Sequence, residues 1–95
     1  MEQHSITRQI GKFRLSDHFV KNNPEDVMKI MAEIVVVRCE FMWSDMSFHY
    51  VAFSRHFEDS YECEPFEYAV RMEQVNTGSE EEPVLETRLV GFQKL

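Results

Sequence analysis

The clearest periodic signal in the chain lies between residues 24 and 34. Val27, Ile30, Met31 and Ile34 stand at i, i+3, i+4 and i+7, one apolar stripe at helical spacing. Asn23 suits an N-cap and Pro24 the first helical position, while Glu25 and Asp26 favour the positive end of the helix dipole. The pattern predicts one main helix over residues 24 to 33. It is short, so packing rather than intrinsic propensity must hold it. Just before it, Ser16-Asp17 reads as a turn or cap, and Asp17-His18-Phe19-Val20 as a single helical turn.

After Ile34 the period changes to two. In Val35-Val36-Val37-Arg38-Cys39-Glu40-Phe41-Met42-Trp43 the odd positions are apolar and the even ones include Arg38 and Glu40, which predicts a strand with its odd face inward. Trp43–Ser47 is a tight connection to a returning strand, residues 47–54. That strand is apolar on both faces, Phe48/Tyr50/Ala52 and His49/Val51/Phe53, so it is expected to be central and covered twice: by the helix, and by a loop or a second copy of the chain. Residues 65–75 alternate with Phe66, Tyr68, Val70 and Met72 inward and Glu67, Ala69, Arg71 and Glu73 outward. A turn at 76–83 leads to a last strand over 84–93, and residues 5–15 form a first strand in which Gly11 marks a bulge or bend. The expected fold is α+β, a single domain over residues 1–95. It has one antiparallel sheet of four to five strands with one main helix on a face, in the order β-α-β-β-β-β.

Composition adds little to the fold but changes the functional picture. A chain of 95 residues with 43% hydrophobic and 28% charged positions is an ordinary small globular domain with a thin stability margin. Eight Phe and six Met supply both core and adaptable contact surface. The first residues carry no apolar signal core, and the run Ile34–Val37 is too short to cross a bilayer, which points to a cytoplasmic protein with no membrane partner. Cys39 and Cys63 are then expected as free, buried thiols, with a disulfide between them as the alternative.

The net charge of −7 is unevenly distributed. Residues 58–82 hold nine acids and one base, or −8; the remainder holds eight acids and nine bases, or +1. Such a segment repels nucleic acid and steers a basic partner inward. On the strand and the connection before it, Glu58, Asp59, Glu62, Glu64, Glu67 and Glu73 are the candidate partner-binding acids, an outward row at a spacing of ~6.6 Å, two residues of strand rise. Arg8, Lys12 and Arg14 share a face of the first strand, but a chain this acidic is not expected to bind nucleic acid directly.

Chemical motifs are absent. The three glycines are too far apart for a phosphate loop, and there is no nucleophile elbow and no zinc helix. Cys39, His49, His56 and Cys63 have no spacing that enforces a metal site. His49, His56, Glu58 and Asp59 are the only acid–base candidates. No catalytic residue, metal or cofactor is therefore expected.

In size, acidity and lack of a catalytic motif the chain resembles the small phage-encoded or mobile-element inhibitors that mimic DNA, anti-restriction and anti-CRISPR proteins among them. The resemblance implies a non-enzymatic inhibitor of a nucleic-acid-handling protein with a basic surface. No motif aligns, so it assigns no residues. Two alternatives stand beside it: a homodimeric assembly module, using strand 47–54 or the last strand, and a small ligand-binding or enzymatic domain built on His49 and His56.

Overall fold

A computed structural model describes residues 9–60 and 64–95. The order is β1 (Ile10–Ser16), α1 (Asp17–Asn22), α2 (Pro24–Met31), β2 (Val35–Met42), β3 (Ser47–Phe53), β4 (Phe66–Asn76) and β5 (Leu85–Lys94). The five strands form one sheet in the order β2-β3-β1-β4-β5. The α+β architecture with its main helix is as expected, with two changes. The sheet is mixed, because β1 and β4 run parallel while the other neighbours are antiparallel. The turn at Asp17 is a full short helix, capped by Ser16 Oγ accepting from Phe19 N at 3.0 Å. Asn23 stands at the N-cap of α2 but makes no side-chain cap; its Nδ2 instead donates to the Phe19 carbonyl and closes α1.

The parallel pair follows from the connection after β3. β3 ends beside the start of β1, Phe53 opposite Ile10, and β4 begins on the other side of that start, Phe66 opposite Gly11. The connection thus runs by the start of β1 and places Phe57 under the sheet. Phe57 is buried and stacks on Tyr68 with ring centroids 4.5 Å apart, and it meets Phe92 edge-on at 5.0 Å. The Tyr68 hydroxyl accepts from Glu58 N at 2.8 Å, which ties the connection to β4. Gly11 is no bulge. It is the place where these two rings reach the backbone.

The core is Phe13, Leu15, Ile30, Ala52, Phe57 and Tyr68, with Phe92, Leu89 and Met31 packed around it. Ile30, from the predicted stripe, is fully buried. α1 lies against β1 and α2 against β5, where Lys29 Nζ donates to the Thr87 carbonyl. The helices therefore cover β1, β4, β5 and the Ala52 end of β3 on one face and leave β2 open. This corrects the expectation for β2: it is an edge strand, exposed along almost its whole length, so that Cys39 and Phe41, although on the same side of the sheet as Phe13 and Leu15, have no layer over them. A register shift between Val36 and Arg38 bulges it at Val37. β3 is internal to the sheet, yet only Ser47 and Ala52 are buried, so its expected double cover is not in place.

Candidate protein-interaction surface

The open edge of the sheet carries most of the misplaced hydrophobicity of the molecule. Among the described residues, six of the eleven large apolar side chains that are exposed fall between Val35 and Met46: Val35, Val36, Val37, Met42, Trp43 and Met46. Trp43 is 79% exposed. It is held by its neighbours: Phe41 meets it edge-on at 5.0 Å and packs on Phe48 at 4.9 Å. The hairpin thus has a small aromatic cluster of its own, with no helix over it. Cys39 lies in the same region and is a free, exposed thiol rather than a buried one. Its partner across the ladder, Tyr50, has its phenol pushed up to about 12 by burial and by the adjacent Cys39.

The acids nominated from the sequence are not gathered into a row. Glu58 pairs with Lys94 at 3.0 Å, Glu64 with Lys12 at 3.3 Å, and Glu67 lies 3.8 Å from Arg14. Glu73 stands opposite Arg88 in the β4–β5 ladder, Asp59 is half-buried, and Glu62 lies outside the described residues. The faces differ as well. Lys94, which holds Glu58, sits over the Phe66 ring, whereas Glu67 belongs to the opposite face with Lys12 and Arg14. Every base that meets these acids comes from outside residues 58–82. Negative charge instead collects at the far end of the β4–β5 hairpin. There Glu73, Glu80, Glu81, Glu82 and Glu86 are exposed and form no ion pair among the described residues, with Arg88 the nearest base in register.

The histidines do not converge. His49 Nε2 lies 3.0 Å from Asp45 Oδ2 and 3.1 Å from Ser47 Oγ, and Ser47 donates to Asp45 Oδ1 at 2.7 Å. These are the residue types of a hydrolytic triad but not its geometry. A triad bridges serine and acid through opposite ring nitrogens, whereas here both meet the same one and the serine is already committed to the acid. The Asp45 carboxyl is held down at about 2 by the Ser47 hydroxyl first, then by His49 and Arg14. The arrangement pins the β2–β3 turn.

His56 lies elsewhere, in an open cleft of about 490 Å³ lined also by Lys29, Glu33, Arg55 and Arg88. His56 Nε2 meets Glu33 Oε1 at 3.0 Å and Arg55 donates to the same oxygen at 2.8 Å. His56, followed by Arg55, holds the Glu33 carboxyl below its ordinary range. A carboxylate so stabilised is a poor general base at neutral pH. With Ser54 Oγ donating to the Glu33 carbonyl, the group clamps the end of α2 to the connection after β3. Among the described residues no three His, Cys, Asp or Glu converge on a point that could hold a metal ion, and no helix is long and apolar enough to cross a membrane.

Compared with protein-family models, with known proteins and with solved structures, the chain matches none. The functional reading therefore rests on its own residues.

Proposed function

We propose that this chain acts by binding protein rather than by catalysis, through the β2–β3 hairpin. The observation that carries the reading is the uncovered apolar surface from Val35 to Met46, with the Phe41–Trp43 aromatic pair at its end. Exposed apolar side chains concentrated in one hairpin favour association, and an exposed Trp on a fixed scaffold is the usual anchor of such a contact. An unpaired edge strand beside it adds backbone donors and acceptors. The test is capture of binding proteins from a nuclease-treated lysate by the wild-type chain and by Trp43→Ser. A specific protein retained by the first and lost by the second supports the reading. A protein retained equally by both, or no protein retained by a chain that is also monomeric, overturns it.

A second reading is favoured by charge. The unpaired acids at the β4–β5 end, beside exposed Val84 and Leu85, suit a partner with a basic surface, such as a nucleic-acid-handling protein that the chain would inhibit or regulate. Charge-driven capture falls steeply with salt and is competed by DNA. Reversal of Glu80, Glu81 and Glu82 to Lys abolishes it, and capture that survives this triple reversal sinks the idea.

A further inference from the structure

Resting on the reading of the β2–β3 hairpin as the contact surface, we infer that its occupant is a second copy of the chain, whose β2 pairs antiparallel with this one about a two-fold axis at Cys39. β2 is the outermost strand of the sheet, and its outer side has no neighbour among the described residues. A two-fold axis perpendicular to a sheet must pass between a residue and its own copy, because only then do opposing side chains lie on the same face. The register is thus a choice among few residues, and charge makes it. Centring on Arg38 sets arginine against arginine, and centring on Glu40 sets glutamate against glutamate; like charges directly opposite are unfavourable. Centring on Cys39 places Arg38 of each copy opposite Glu40 of the other, twice by symmetry.

The neighbouring positions agree. Arg38 and Glu40 lie on one face, with Val51 and His49 as their β3 partners; Cys39 and Phe41 lie on the other, with Tyr50 and Phe48. Outward from the axis the Val36–Val37 bulge falls opposite Phe41, and Val35 opposite Met42. Because the bulge restores the face as well as the count, apolar side chains meet apolar ones on the same side at each step. Neither Arg38 nor Glu40 has an ion-pair partner of its own among the described residues, so both are free to bridge. The other sheet edge is less open. On β5, Lys29 occupies the Thr87 carbonyl, and the register break opposite Arg71 and Met72, with Gly91 at φ 153°, bends the strand. Joining β2 to β2 would cover the exposed valines and leave the two acidic β4–β5 hairpins at the outer ends.

Sedimentation equilibrium of the full chain from micromolar to millimolar concentration tests this. A reversible dimer is expected. Arg38→Glu alone, or Glu40→Arg alone, weakens it about tenfold, two symmetric cross-strand attractions becoming repulsions. The double swap, Arg38→Glu with Glu40→Arg, restores it. In a Cys63→Ser background, copper phenanthroline links the dimer through Cys39. Circular dichroism confirms that each variant is folded. A chain monomeric throughout overturns the inference, yet leaves the hairpin reading to the Trp43→Ser capture. A dimer indifferent to the single reversals, or not restored by the double swap, overturns the β2 register whatever the cross-linking gives.

Discussion

The ring of Tyr68 lies directly against the backbone of Gly11: a Cβ at Gly11 would stand 2.7 Å from Tyr68 Cε1 and 2.9 Å from Phe57 Cδ2. No real side chain tolerates that approach, and both rings are buried and stacked, with little room to retreat. Gly11→Ala should therefore cost about 1–3 kcal/mol, the range for overpacking a tight core. Urea unfolding of the two proteins checks it. A loss below about 0.5 kcal/mol, the ordinary range for a surface change, would mean that the rings yield and that the close approach is not a constraint.

The same stack makes the connection after β3 part of the core. Phe57→Ala removes a buried ring from among Tyr68, Phe92 and the sheet and should cost about 3–5 kcal/mol. Tyr68→Phe keeps the ring but leaves Glu58 N without its acceptor, for about 1 kcal/mol. Thermal unfolding should rank the two in that order. The reverse ranking would place Phe57 outside the core.

The turn between β2 and β3 should report on pH. The Asp45 carboxyl is lowered from an ordinary 3.8 to about 2, first by the Ser47 hydroxyl, and Glu33 is lowered in the same direction by His56 and Arg55. A folded value below the unfolded one means a stabilisation fully present above about pH 4 and lost as pH falls toward about 2. Asp45→Asn should lower stability at neutral pH and flatten that acid limb in unfolding experiments between these limits, with the slope above about pH 4 little changed. An unchanged acid limb would remove Asp45 from the account.

Trp43 separates contact from stability. Exposed as it is, Trp43→Ser should change unfolding free energy by no more than about 0.5 kcal/mol. Loss of association with stability retained is the signature of a contact residue. A large stability loss would recast Trp43 as the lid of the Phe41–Phe48 cluster.

Within a single strand or helix the sequence was a reliable guide. The stripe through Ile30 is the buried face of α2, and Phe66, Tyr68, Val70 and Met72 do face the core. These are matters of local period, set by backbone geometry alone. The same period misread β2. Val35, Cys39 and Phe41 alternate as an inward face would, but inward has meaning only where a second layer exists, and α2 lies over β5 instead. The candidate acids failed for a related reason. Charge summed along a segment cannot see Lys12, Arg14 and Lys94, which reach Glu64, Glu67 and Glu58 from strands distant in the chain.

By itself, then, the order of residues determined which elements form, which face of α2 and β4 is apolar, and how much negative charge the molecule carries. Those follow from short-range sterics, periodicity and composition. Only the tertiary structure decided that β1 and β4 run parallel, that Glu58, Glu64 and Glu67 each meet a base, and that β2 is left as an open edge. Each of these depends on which strand lies beside which. Strand order is settled by long-range packing, here by Phe57 and Tyr68 meeting over Gly11, and no local pattern encodes it.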